Sequence, residues 1–221
     1  MKYIIGNWKS NKTTENALLW LADFSAQYNP THAVKVILAP GFLQIAPMLD
    51  VIHKLNMQLE LAGQDLSSFE DGAYTGEVCA SQLTEYVKFS FIGHSERRIN
   101  LGETDELLAN KVKQAQVNNI EPIFCVQSPN TPIPTGVTIV LYEPIEAIGS
   151  GHADSPAHAN NALSQIKKQH PFVKLGIYGG SVTPDNVMEI ISQPAIDGVG
   201  VGGASLKPDL FAEIIKNVSK I

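Results

Sequence analysis

The sequence is poor in cysteine, in charge and in long apolar runs, and each shortage excludes a class of protein. Its 221 residues include only two cysteines, Cys79 and Cys125. Two thiols allow at most one disulfide and cannot supply the ligand clusters of structural zinc sites, so a reduced, cytoplasmic protein is expected. Charged residues make up 17% of the chain, with 16 Lys and Arg against 22 Asp and Glu for a net charge of −6. That balance offers no broad basic surface to a nucleic acid or an anionic membrane, and an anionic ligand needs a local site. An apolar stretch such as residues 137–142, with Thr138 inside it, is far too short to span a membrane. The first nine residues turn polar too early for the apolar core of a secretory signal.

What is present is the composition of a globular protein: 44% hydrophobic residues, with 17 Gly and 13 Pro. Eight short apolar runs recur at residues 3–5, 34–38, 59–62, 87–92, 120–126, 137–142, 175–178 and 199–201. They are nearly continuous instead of alternating, the pattern of strands buried on both faces of a parallel sheet. Between most of them lie segments of helical period. Residues 13–24 align Ala17, Leu18, Leu21 and Phe24, and residues 104–117 align Leu107, Leu108, Val112 and Ala115. Ser155-Pro156 and Thr183-Pro184 read as hydroxyl caps followed by proline in the first turn, and Lys207-Pro208-Asp209 opens a last helix. Repeated strand and helix predict an α/β fold, a (β/α)8 barrel in one domain over residues 1–221, with a doubly wound open sheet as the competing topology.

Two connections depart from the repeat. Residues 127–136 hold Pro129, Pro132 and Pro134 and cannot form a helix. Extended, they reach roughly 33 Å, enough to return over one strand, so the fifth crossover is expected to lack its helix. Residues 65–80 form a long segment without helical period, the kind of loop that serves a site or an interface.

In a barrel, ligands meet the C-terminal strand ends. The polar residues there are Asn7 and Lys9 after the first strand, residues 93–98 (Gly-His-Ser-Glu-Arg-Arg) after the fourth, and Glu143-Pro144 after the sixth. Gly179-Gly180-Ser181 follow the seventh, and Gly202-Gly203-Ala204 the eighth. The glycine turns either simply reverse the chain or open backbone N–H groups to a phosphate. Lys9, His94 and Glu143 supply a cation, an imidazole and a carboxylate, a minimal set for moving a proton beside a carbonyl. Each alone is commonplace as a surface or turn residue. Cys125 reads as a packed, inert thiol, and the histidines lack metal-ligand spacing.

Taken in order, Gly6-Asn7-Trp8-Lys9, Gly72-Ala73-Tyr74-Thr75-Gly76-Glu77, Ile92-Gly93-His94-Ser95-Glu96-Arg97-Arg98, Tyr142-Glu143-Pro144, Ala147-Ile148-Gly149-Ser150-Gly151, Tyr178-Gly179-Gly180-Ser181 and Val201-Gly202-Gly203-Ala204-Ser205-Leu206 resemble the triosephosphate isomerase family. The resemblance implies a cofactor-free isomerase of glycolysis and gluconeogenesis, interconverting dihydroxyacetone phosphate and D-glyceraldehyde 3-phosphate. It implies that Glu143 is the base and that His94 polarises the carbonyl and moves protons between the enediolate oxygens. Lys9 and Asn7 stabilise the oxyanion, with Glu96 as a supporting polar group. Gly149, Ser181, Gly202 and Gly203 bind the phosphate through backbone N–H groups, and residues 144–153 form a lid. Thr75 corresponds to a residue reaching into a partner's site, implying a homodimer through residues 65–80.

Three departures from the family pattern stand out: Glu146 where Trp is usual, His152 where Lys is usual, and Gln127-Ser128 after Cys125 where Gly-Glu is usual. Another sugar-phosphate aldolase or lyase barrel requires a Schiff-base lysine or metal ligands deep in the barrel, for which the sequence offers no candidate. A non-catalytic phosphometabolite binder has no need to keep Lys9, His94 and Glu143 together.

Overall fold

Eight apolar strands that each bury both faces need a cover of helices outside and a partner on each edge, and a closed parallel sheet supplies both. The computed structural model, which describes residues 1–144 and 155–221, shows this arrangement. Strands β1 (Lys2–Asn7), β2 (Val34–Ala39), β3 (Glu60–Gly63), β4 (Phe89–Ile92), β5 (Glu121–Val126), β6 (Ile139–Tyr142), β7 (Leu175–Tyr178) and β8 (Gly198–Val201) form a closed barrel in chain order. β1 joins β2 from Lys2 beside Val34 to Asn7 beside Ala39, and closes onto β8 from Tyr3 beside Gly198 to Gly6 beside Val201. The outer layer among the described residues holds α1 (Thr14–Ser25), α2 (Phe42–Lys54), α3 (Ala80–Leu83), α4 (Ser95–Leu101), α5 (Asp105–Val117), α6 (Pro156–Gln169), α7 (Val187–Ile191) and α8 (Pro208–Val218).

The pleat sorts the apolar residues into two cores. Ile5, Ile37, Phe91, Ile123, Cys125, Leu141 and Ile177 fill the barrel. Their neighbours Ile4, Leu38, Ile92, Phe124, Val140 and Tyr178 pack outward against the helices. On the seam between β1, α1 and α8, Trp20 stacks on Phe24 at 4.8 Å and meets Trp8 edge-on at 4.9 Å, with Phe211 closing the cluster. Trp8 also donates its indole N–H to the Ser205 carbonyl at 3.0 Å, tying the end of β1 to the turn after β8.

The helix starts follow their caps. Thr13, Thr104 and Ser155 accept from the backbone N–H of Asn16, Leu107 and His158, and Pro156 and Pro208 sit in first turns. Thr183-Pro184 does not start a helix directly. Asn186 accepts from the Thr183 N–H at 2.8 Å, holds residues 184–186 in a turn, and delays α7 to Val187.

The fifth crossover has no helix, as its prolines require. Residues 127–138 run as turns and irregular chain between β5 and β6. The Thr131 hydroxyl accepts from the N–H of Gln127 at 3.3 Å and of Ser128 at 3.1 Å, so a single side chain caps what a helix would otherwise organise. Residues 65–79 are also irregular. Their arm is pinched by the Ser67 N–H on the Val78 carbonyl at 2.9 Å, and Phe69 stacks on Tyr74 at 4.1 Å. No helix among the described residues is long and apolar enough to cross a membrane.

Candidate active site

The strand ends converge on a cavity of about 390 Å³ whose lining includes Asn7, Lys9, His94, Glu143, Ser181, Gly202 and Gly203. Lys9 enters it from a strained turn. Its φ of 52° lies in the left-handed region, which costs a side-chain-bearing residue about 1–2 kcal/mol. Three hydrogen bonds hold the turn: the Lys9 N–H on Asn7 Oδ1 at 2.9 Å, and Gln64 Nε2 on the carbonyls of Lys9 at 2.8 Å and Ala39 at 3.0 Å. Asn7 thus shapes the turn that aims the lysine as well as lining the cavity. The Lys9 ammonium pairs with Glu96 Oε1.

His94 follows Gly93, whose φ of 76° turns the chain sharply out of β4, and it caps the N-terminus of α4. Its Nδ1 accepts from the Glu96 N–H at 3.2 Å. With that lone pair engaged, Nε2 is the nitrogen that carries the ring proton, and it lies 2.9 Å from Glu143 Oε1. The Glu143 carboxylate is only 2% exposed. Its Oε2 accepts from the Ser95 N–H at 2.9 Å and from Gln127 Nε2 at 3.1 Å, so both oxygens have donors, as burial of a carboxylate demands.

Behind this row lies an ionic brace. Arg97 reaches Asp65 at 2.7 Å and Glu103 at 2.8 Å, and buried Lys111 reaches the same carboxylates at 2.5 and 2.6 Å. Burial pushes the Asp65 carboxyl above its ordinary range, against the opposing pull of Lys111 and Arg97. Arg98 donates to the Gly93 carbonyl at 2.9 Å and pairs with Asp105 at 2.8 Å. The two arginines of the His94 segment are therefore braces, fixing the imidazole to α5 and to the start of the arm. Burial, reinforced by the Glu143 carboxylate, raises the Cys125 thiol well above its ordinary range, which keeps it protonated and unreactive.

Along the same rim the chain turns through Gly179-Gly180-Ser181 after β7 and through Gly202 into a 3₁₀ turn, Gly203–Leu206, after β8. A Cβ built on Gly202 or Gly203 would meet no atom within 4 Å, so the backbone there is open to an approaching anion. Glu96 stands behind the row, touching Lys9 through one oxygen and lying 3.7 Å from His94 Nδ1 through the other. Thr75 sits on the exposed arm and does not line this chain's own cavity. Gly149, Glu146, His152 and the rest of the expected lid from residue 145 onward lie outside the described residues. Among the described residues no group of three or more His, Cys, Asp or Glu is placed to hold a metal ion.

Sequence reasoning missed three contributors: the Gln64 amide, the Ser95 N–H and the Gln127 amide. Gln64 carried no signal beyond its place after β3. Ser95 lies inside the motif, but its part is played by backbone. Gln127 was visible only as a departure from the family pattern.

The geometry has close counterparts among known proteins. The family model described as triosephosphate isomerase matches residues 2–218. The triosephosphate isomerase of Mesomycoplasma hyopneumoniae (strain 232) is 37% identical over 98% of this chain and 99% of its own. That of Nostoc punctiforme (strain ATCC 29133 / PCC 73102) is 37% identical over 96% of each. The crystal structure of triosephosphate isomerase from Bartonella henselae superposes with a TM-score of 0.85 at 26% identity, covering 100% of this chain and 99% of the other. A family model matched over residues 2–218, relatives 37% identical over nearly the whole chain and a superposable barrel place this chain in the triosephosphate isomerase family.

Proposed function

We propose that Glu143, His94 and Lys9 carry the interconversion of dihydroxyacetone phosphate and D-glyceraldehyde 3-phosphate in this chain, the isomerisation that serves glycolysis and gluconeogenesis. The observation that carries the reading is the 2.9 Å contact between His94 Nε2 and Glu143 Oε1 on the wall of the cavity that the open glycine turns also line. A substrate carbonyl oxygen entering there takes over the Nε2–H, which frees Glu143 Oε1 to accept a proton from the adjacent carbon. Negative charge then develops on the oxygen, where the Lys9 ammonium and the Asn7 amide stabilise it and Glu96 keeps the ammonium oriented. His94 exchanges protons between the two enediolate oxygens, and Glu143 returns its proton to the neighbouring carbon. The backbone at Ser181, Gly202 and Gly203 holds the phosphate, so the reacting carbons are fixed relative to the base.

The acting unit is a cytoplasmic homodimer of one-domain chains, with residues 65–80 as the contact. Support comes from the exposed apolar side chains Phe69 and Tyr74 on the arm, and from Phe42, Leu43, Ile99 and Leu101. In this reading Thr75 completes the partner's site. The test of the base is Glu143→Gln. The variant should fold and bind inorganic phosphate but lose most turnover in a coupled isomerase assay, and near-normal turnover overturns the assignment.

A further inference from the structure

Beyond β7 the chain leaves the ladder at Gly179, whose N–H donates to the Tyr142 carbonyl at 2.8 Å, and then carries Gly180, Ser181, Val182 and Thr183 along the cavity. The far end of this turn is gripped by one side chain. Asn186 Nδ2 donates to the Ser181 carbonyl at 2.9 Å, and Asn186 Oδ1 accepts from the Thr183 N–H at 2.8 Å. One planar amide thus spends its donor and its acceptor on backbone groups two residues apart, and its rigid plane sets the distance between them. Thr183 and Asn186 stand as the cap and third residue of a capping box, with the Thr183 carbonyl accepting from the Val187 N–H at 3.1 Å. From the outer layer, Asn217 on α8 donates through Nδ2 to the Pro184 carbonyl at 3.2 Å and ties down the same turn. Asn186 does not itself line the cavity. Its backbone, at φ −102° and ψ −13°, places no demand for asparagine, so the amide is there for its two bonds.

We propose that Asn186 is a positioning residue for substrate phosphate: by clamping the Ser181 carbonyl to the Thr183 N–H it sets the backbone from which the Ser181 N–H reaches the anion. The proposal rests on the phosphate being held by the backbone turns after β7 and β8. The clamp takes hold of Ser181 on its carbonyl side, which leaves Gly179-Gly180 able to adjust the N–H side as a ligand arrives. Half of the turn is then already ordered before binding, and less conformational freedom is lost when the anion settles.

Asn186→Ala removes both bonds, and Asn186→Ser keeps an oxygen for the Thr183 N–H while losing the reach to Ser181. In a coupled isomerase assay Asn186→Ala should raise the inhibition constant for inorganic phosphate and KM for glyceraldehyde 3-phosphate together, each about two- to tenfold, with kcat within about twofold. Asn186→Ser should fall between Asn186→Ala and wild type. The discriminating substrate is D-glyceraldehyde, the same aldose without its phosphate. Its slow isomerisation, followed by NMR, should keep the wild-type kcat/KM in Asn186→Ala, because the clamp acts only through the phosphate. An unchanged phosphate inhibition constant in Asn186→Ala overturns the proposal, as does an equal loss with D-glyceraldehyde, the mark of a generally loosened site. Gly203→Val assayed alongside separates the two claims. If it weakens phosphate inhibition while Asn186→Ala does not, only the clamp falls; if neither variant weakens it, the phosphate assignment falls and the clamp with it.

Discussion

Replacing Lys9 by Met separates the catalytic role of the ammonium from its part in stability. The Lys9 and Glu96 side chains are 36% and 44% exposed, so water and salt screen their pairing and it contributes about 0–1 kcal/mol to folding. Methionine keeps the length of the side chain and the same left-handed backbone, so the turn strain is unchanged. A loss of ~1 kcal/mol moves the thermal midpoint by about 2–4 °C in a chain of this size. In the proposed reaction the ammonium's effect is larger, because charge develops on the substrate oxygen it is to stabilise. Loss of one such group removes about 2.7–4 kcal/mol of transition-state stabilisation, a fall of roughly 10²–10³ in kcat. Lys9→Gly should lose as much activity at nearly unchanged stability, since relief of the strain at φ of 52° is offset by the chain entropy of glycine and the lost ion pair. The assays are steady-state isomerisation coupled to a dehydrogenase and thermal unfolding followed by circular dichroism. A Lys9→Met protein that folds normally and keeps more than a tenth of wild-type turnover would refute the reasoning.

Two further outcomes follow from the site. Gly203→Val should leave the fold intact, since a Cβ there meets nothing within 4 Å, but the branched side chain occupies the anion's approach. KM and the inhibition constant for inorganic phosphate should each rise about tenfold or more, with kcat less affected, and unchanged values would remove the turn after β8 from phosphate binding. The raised Cys125 thiol should resist iodoacetamide at neutral pH in the native protein and react once the protein is unfolded. Equal labelling in the two states, read by mass spectrometry, would contradict its burial.

The barrel was legible because each strand is apolar on both faces: Ile4 with Ile5, Phe124 with Cys125, and Val140 with Leu141 leave no polar side to face water. The missing crossover helix was legible because Pro129, Pro132 and Pro134 remove donors and clash in any helix. Thr183-Pro184 misled because a proline after a hydroxyl is compatible with both a helix start and a turn, and the deciding group, the Asn186 side chain, acts on the Thr183 N–H from three residues away. Lys9, His94 and Glu143 could be named from their places after strands. The Gln127 contact could not, because it depends on the stagger between β5 and β6, a through-space quantity that side-chain pattern within one strand does not encode. The braces hidden in Arg97 and Arg98 were obscure for the same reason: their partners Asp65, Glu103 and Asp105 come from other turns of the chain.

The central claim is that Glu143 takes a proton from one carbon and returns it to the next. Isomerisation in D2O, with the product analysed by NMR, tests it directly on the wild-type and Glu143→Gln proteins. The account predicts that wild-type product carries solvent deuterium at the newly protonated carbon, and that Glu143→Gln neither isomerises nor exchanges at a comparable rate. Wild-type product free of deuterium, or full exchange in the variant, would contradict it.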